Sequence, residues 1–293
     1  MSPTRWGPPI DVLPLFTQEG QALGDLLIAV PAVDWQRPTA CPGWSVQDVA
    51  SHILDVKLRR LARDRDAVRT LEPGPGEPLG RFVDRVNEEW VQVSRRLSFE
   101  IITTMLFDFM GQTAEWWAMV DLEETGDPVS WAGPEPAPAW LDAARDYSEA
   151  WVHHQQIREA LGYPVLSFEL GMTIADTFMR ALPYTLRDVD ARVDRQIVYK
   201  VTGEGGGKWT CWREPDGWTI DRGAGPSRAP VASVTTDIDT FWRLCTRNVR
   251  AADVADKIKT TGDEKVAEKM LGMVSIIVPD PKEPKARGGL RSV

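Results

Sequence analysis

Histidine is scarce in this chain: three residues, His52, His153 and His154, in a length of 293. Any site that uses imidazole, as a metal ligand or as an acid–base group, must be drawn from those three. Cysteine is equally sparse. Cys41, Cys211 and Cys245 lie far apart with no CxxC pair, which removes both a disulfide framework and a cysteine zinc cluster and leaves free, reduced thiols. Positive charge is in deficit, with 34 Lys and Arg against 43 Asp and Glu and a net charge of -9. Wrapping a phosphate backbone needs clustered cations, so nucleic acid is not an expected partner. Runs of eighteen apolar residues are missing, and the start MSPTRWGPPIDV lacks the basic-then-apolar pattern of a secretory signal. The expectation is a cytoplasmic protein with no membrane segment.

What the chain has in quantity is tryptophan, thirteen residues, within a 43% hydrophobic composition. So many large rigid side chains imply broad packing surfaces or a lined pocket. The length is enough for two domains.

Apolar residues recur at helical spacing from Leu13 to Val30, and Pro31 ends the pattern. Ser45 followed by Asp48 reads as a capping box, opening a second helix expected to run to about Leu71, where EPGPGEPLG breaks it. Phe82 to Leu97 is polar on one side and reads as an excursion, whereas Phe99 to Val120 reads as a third main helix. The fourth is AWLDAARDYSEAWVHHQQIREALG, with Ala143, Tyr147, Ala150, Ile157 and Leu161 in one stripe. Four long helices predict a bundle that closes near residue 162, with its site between facing helices.

Beyond residue 162 the pattern changes. A helix over Leu170 to Leu186 precedes β-branched and aromatic runs at Gln196 to Thr202, Lys208 to Arg213 and Trp218 to Asp221, the last two flanking the turn EPDG. Val231 to Thr236 reads as a further strand, and Asp239 to Leu244 and Gly262 to Met273 as helices. The expected organisation is therefore α+β overall: a helical bundle over 1–162, a smaller α+β domain over 163–278, and a loose tail over 279–293.

His52 stands two turns into the second helix, on the shoulder of the apolar face beside Val49 and Val56. Glu149 and His153 are one turn apart on the fourth helix, along the edge of its stripe. Two imidazoles and a carboxylate facing one interior, with a coordination position left open, form the pattern of a catalytic zinc. Spacing alone equally allows Glu149 and His153 to support their own helix while His52 is a satisfied buried histidine. His154 falls nearer the middle of the stripe and reads as a core residue or a support for the ligands. Cys41 precedes a helix N-terminus, where a thiol can be activated, but CPGW is also a tight loop that sets the helix entry, with Cys41 a small buried residue. GEGGGK at 203–208 lacks the following Ser or Thr and the helix of a phosphate loop, so nucleotide binding is rejected there. The pairs Trp116 with Trp117 and Trp209 with Trp212 read as packing.

The stretch DWQRPTACPGWSVQDVASHIL, followed by EAWVHHQQIREALG, resembles the mycothiol-dependent maleylpyruvate isomerase family. That resemblance implies a DinB-like four-helix bundle whose metal ligands fall on His52, Glu149 and His153. The segment DTFWRLCTRN and the later KIKTTGDEKVAEKML are similar to the family's sterol-carrier-like C-terminal domain, with Thr246 in place of the usual glycine before Arg247. What the family implies is a divalent metal, expected to be zinc, and mycothiol or a similar low-molecular-weight thiol as cofactors. The activity implied is isomerisation or S-transfer on a small electrophilic substrate such as a maleylpyruvate-like unsaturated acid, with Arg247 as the catalytic cation. Two rivals stand beside it: a metal-dependent hydrolase on the same scaffold, and a non-catalytic protein binding metal and an apolar ligand.

Overall fold

The computed structural model describes residues 5–165, 168–193, 195–223, 225 and 228–277, so the expected tail lies outside the described residues. Helix α1 (Leu13–Ala29) starts with Pro14 in its first turn, where a missing N–H costs nothing, and buries Phe16, Leu23, Leu26 and Leu27. Helix α2 (Val46–Arg60) opens on the expected capping box: Ser45 Oγ accepts from the Asp48 N–H, and the Asp48 carboxylate accepts from the Ser45 N–H. It ends earlier than the sequence implies. Arg60 turns inward to the Asp142 carboxylate, the backbone widens into a π turn over Leu61–Arg65, and Ala67 leaves it with φ +57°.

Helix α3 (Leu79–Ser94) buries only Val86, Val91 and Ser94 and lies along α2, where the Trp90 indole donates to the Ser51 carbonyl and hydroxyl. Helix α4 (Phe99–Met119) is capped by Ser98. A short antiparallel pair, β1 (Thr125–Pro128) with β2 (Pro136–Pro138), leads into α5 (Ala139–Ala160). Helices α1 and α2 each pack against both α4 and α5, which closes a four-helix bundle and sets α2 beside α5.

After α6 (Phe168–Met179) and the single turn α7 (Leu182–Thr185) the chain builds a sheet from β3 (Gln196–Thr202), β4 (Gly207–Glu214), β5 (Gly217–Arg222) and β6 (Ala232–Asp237). Helix α8 (Ile238–Cys245), the edge strand β7 (Lys259–Gly262) and α9 (Glu264–Leu271) complete it. The order is β5-β4-β3-β6-β7, with β3 and β6 parallel and the other neighbours antiparallel. GEGGGK is the turn of the β3–β4 hairpin, with Gly203 and Gly205 at positive φ, so a strand follows it and not a helix. Gly262, expected to open a helix, ends β7 instead; Asp263 caps α9 one residue later.

The fold is thus a helical N-terminal part followed by a five-stranded mixed sheet with helices. One apolar cluster runs from α5 into the sheet, and within it the Trp151 ring of α5 and the Trp242 ring of α8 meet edge to face at 5.7 Å. A second, formed by Leu23, Leu27, Val49, Ile53, Ile102, Leu106 and Ile157 among others, closes the bundle. Among the described residues no helix is long and apolar enough to cross a membrane.

Candidate metal centre

The loop before α2 aims the site. Pro38 and Ser45 form a bridge, the Thr39 N–H and hydroxyl both donate to the Trp44 carbonyl, and the Trp44 N–H returns to the Cys41 carbonyl. That last bond closes a turn with Pro42 and Gly43 at its centre. Gly43 has φ +82° and a Cβ there would meet nothing within 4 Å, so glycine is required by conformation and not by space. The turn fixes where α2 begins, and Arg95 clamps the same end by pairing with Asp48 at 2.9 Å. His52 is thereby held two turns in, 2% exposed, with the Trp44 ring 5.1 Å from its own.

Across the α2–α5 seam, His52 Nε2 lies 3.2 Å from Glu149 Oε1, and His153 Nε2 lies 3.3 Å from the same oxygen. The two imidazoles meet nearly at right angles, 4.7 Å between centroids, and one ligand atom from each of the three residues falls within a 4.8 Å group. Ligands about 2.0 to 2.1 Å from a tetrahedral ion stand about 3.3 Å from one another, the spacing of both His–Glu pairs. Glu149 retains a 33% exposed side chain, so the cluster is reachable from solvent on one side.

The electrostatics follow from this crowding. Burial drives His52 down to about 4 although Glu149 opposes it. Burial also works against charge on His153, but the Cys41 sulfur and Glu149 outweigh it and raise that group to about 10. Glu149 loses solvation as well, yet the hydrogen bonds with His153 and His52 hold it well below the usual carboxylate range. The seam is a place where a positive charge between the three groups is strongly favoured.

Several further residues surround this trio, and the sequence alone did not single all of them out. Gln156, one turn beyond His153, accepts from His153 Nδ1 at 2.7 Å and from the Cys41 thiol at 3.1 Å, and donates to Asn248 Oδ1 at 3.2 Å. No pattern marks it, because a glutamine on a helix edge looks like surface until the loop and the second half of the chain close over it. Cys41 is half-buried in its turn and outside the ligand group. His154 points elsewhere: its Nδ1 lies 2.7 Å from Glu19 Oε1 on α1, both side chains fully buried, which makes it part of the core.

Arg247 is not drawn into the trio. It is exposed just past α8, and among the described residues its side chain makes no hydrogen bond or ion pair. Its backbone has φ +58°, while Thr246 before it stays at φ -101°. The Arg247 N–H returns to Leu244 and the Asn248 N–H to Arg243, the pair of bonds that ends a helix on a left-handed residue. The neighbouring Asn248 is what touches Gln156.

Beneath the trio the same seam carries a buried ionic cluster. Lys57 meets Asp146 at 2.5 Å, Arg60 grips Asp142 with two nitrogens, and the Trp117 indole donates to Asp146 at 2.7 Å. Burial works against every one of these carboxylates, but the adjoining cations outweigh it and hold Asp142 and Asp146 below the usual range.

Residues 16–158 match the family model described as the mycothiol maleylpyruvate isomerase N-terminal domain. The crystal structure of the mycothiol-dependent maleylpyruvate isomerase overlays 85% of this chain and 91% of its own with a TM-score of 0.52 at 12% identity, a likeness of fold. A sterol carrier protein 2 like 2 from Aedes aegypti overlays its whole length on 36% of the chain, at 17% identity and a TM-score of 0.28. An uncharacterized protein of Mycobacterium tuberculosis, found in two strains, is 28% identical over 147 residues, covering 49% of this chain and 54% of its own. The chain therefore spans about half the length of the curated relatives it matches. The matched segment contains His52, Glu149 and His153. Residues 16–158 are thus similar to the mycothiol maleylpyruvate isomerase N-terminal domain, and the fold of most of the chain is like that of the solved isomerase.

Proposed function

We propose that the chain is a metal- and thiol-dependent enzyme, an isomerase or S-transferase acting on a small electrophilic acid. The observation that carries this reading is the convergence of His52 Nε2, His153 Nε2 and Glu149 Oε1 on one point, open on one side. The two imidazoles can donate N–H to the Glu149 carboxylate, and a cation that takes the place of those protons would find three lone pairs converging on it. The donor set of two imidazoles and one carboxylate fits zinc and leaves a position for a further ligand. A divalent ion held there would supply the charge that keeps a low-molecular-weight thiol, mycothiol or one like it, as the thiolate at neutral pH.

The chain's own residues would do the rest. His52 and His153 hold neutral nitrogens toward the ion, and Glu149 supplies one negative charge. The Trp44 ring beside His52 shields that flank from water. Arg247, exposed and without a partner among the described residues, would receive the carboxylate of the substrate and steady negative charge that develops next to it. Addition of the thiol sulfur to an activated double bond, rotation about the resulting single bond and expulsion of the same sulfur give cis–trans isomerisation. Retention of the sulfur gives S-transfer. The thiol comes from the cofactor, so no nucleophilic cysteine of the chain is needed: Cys211 and Cys245 are buried, burial pushes both thiols up, and Cys41 donates to Gln156.

The test begins with elemental mass spectrometry on wild type, His52→Ala and His153→Ala, each purified without added metal. About one ion per chain in wild type and none in the variants is expected. A cis-unsaturated keto acid is then followed by ultraviolet absorbance with and without added thiol. Turnover that needs both metal and thiol supports the proposal; metal-dependent turnover without thiol replaces it with a hydrolase.

A further inference from the structure

The geometry points to Gln156 as a positioning residue that fixes which nitrogen of His153 carries the proton, and to Asn248 as the residue that keeps the Gln156 amide the right way round. This inference rests on the metal reading above.

A neutral histidine that ligates through Nε2 carries its proton on Nδ1, and an acceptor at Nδ1 fixes that tautomer; His52 Nδ1 has no such partner among the described residues, whereas His153 Nδ1 does. Gln156 Oε1 is that acceptor, 2.7 Å away. An amide, unlike a carboxylate or a backbone carbonyl, has two ends of nearly equal size, one accepting and one donating. Reversed, the Gln156 NH2 would face His153 Nδ1, the proton would move to Nε2, and the nitrogen aimed at Glu149 would be blocked. The orientation is therefore part of the site. Two contacts set it. The Cys41 thiol donates to Oε1 at 3.1 Å, and Asn248 Oδ1 accepts from Nε2 at 3.2 Å.

Both contacts come from far along the chain. Cys41 belongs to the turn that launches α2, and Asn248 to the loop after α8, whose left-handed Arg247 swings the following residue toward α5. Gln156 is only 4% exposed, so these bonds are made away from competing water. The consequence is that the second part of the chain does more than face the metal cluster: it holds one of its ligands in the binding-competent form. Asn248 Nδ2 has no partner among the described residues, so its amide can turn over when Gln156 is exchanged for a pure acceptor; beside the native amide, turning either group alone sets like ends face to face, and turning both gives up the Cys41 thiol bond to Oε1.

Cobalt(II) titration of the full-length metal-free chain, read by visible absorption, tests this for wild type, Gln156→Leu, Gln156→Glu and Asn248→Ala. Gln156→Leu leaves an apolar side chain, one atom shorter, that offers no acceptor, and should weaken cobalt binding about ten- to a hundredfold and change the band pattern. Gln156→Glu accepts at Nδ1 whichever way it lies, and Asn248 can reverse to donate to it, so affinity and spectrum should return to wild type within about threefold. Asn248→Ala leaves the bundle intact and should lose a smaller factor, which the Gln156→Glu background should abolish. A packing role alone would not be rescued by glutamate. Wild-type affinity and spectrum in Gln156→Leu, or no effect of Asn248→Ala in the native background, would overturn the inference while leaving the metal reading standing. Should Gln156→Leu fail to fold, the Asn248→Ala pair decides. No cobalt binding by well-folded wild type overturns both.

Discussion

Exchanging Arg247 for glycine should make the protein more stable while disabling it. Arg247 holds φ +58° at the end of α8, a backbone region in which its Cβ crowds the following carbonyl. For an L-residue that costs about 1 to 2 kcal/mol, and glycine escapes it. Part of the gain is returned, because glycine gives the unfolded chain about 0.5 to 1 kcal/mol of extra freedom. Alanine shares the crowding and lacks the guanidinium, so it isolates the backbone contribution. The Gly variant is expected to exceed the Ala variant by about 0.5 to 1 kcal/mol, or about 1 to 3 °C in Tm for a chain of this size. Paired urea and thermal unfolding of wild type, Arg247→Ala and Arg247→Gly measure it. Both variants should lose turnover together, chiefly through KM if the arginine holds the substrate carboxylate equally in ground and transition states. A Gly variant no more stable than the Ala variant would refute the strain, and full activity in either would remove Arg247 from the chemistry.

Other perturbations probe the framework beneath the site. Lys57→Met should cost about 3 to 5 kcal/mol in urea unfolding, since Asp146, its partner at 2.5 Å, would remain buried with less compensation; a loss under 1 kcal/mol would mean that Arg60 and Trp117 suffice. Burial lifts the Asp55 carboxyl to about 6 although Arg59 sits 2.9 Å away. A carboxyl raised on folding favours the folded state while protonated, so stability should fall as pH rises from about 4 to 6, by about 2 to 3 kcal/mol in all. Asp55→Asn should remove that slope and leave the variant more stable at pH 7.5, and an unchanged slope would exclude Asp55 as its source. Ser45→Ala breaks one side of the capping box and should cost about 1 kcal/mol with metal content unchanged. Metal at a hundred times its Kd should raise wild-type stability by about 2.7 kcal/mol and leave His52→Ala unmoved.

The sequence carried those features that local chemistry decides. Ser45 and Asp48 announced α2, the alternating β-branched and aromatic runs announced β3 to β6, and one-turn spacing put Glu149 and His153 on a single face. What stayed hidden depends on distant partners. Residues after Arg60 are good helix formers, and nothing local marks the π turn that begins where Arg60 reaches Asp142, 82 positions away. Strand β7 has no alternation to read, because all four of its residues are exposed at the sheet edge. Gln156 shows its contacts only after Cys41 and Asn248 arrive from 115 and 92 residues away. The alternative in which Glu149 serves its own helix could not be separated by spacing from the converging trio, since both need the same turn of α5.

Trp151 and Trp242 share one core, and at the other end residues near the start of the chain close over the sheet: the Trp6 carbonyl takes a hydrogen bond from Arg180, and a Cβ on Gly7 would meet the Ile220 carbonyl at 2.6 Å. The bundle and the sheet are therefore not exchangeable cassettes. A recombination event that replaced everything after α5 would strip partners from tryptophans on one side and from the N-terminal strap on the other. Descent within this lineage has a narrower route to new chemistry, through the turn at 37–46 and the loop at 246–250, where substitutions alter what meets the trio without breaking the weld that holds it.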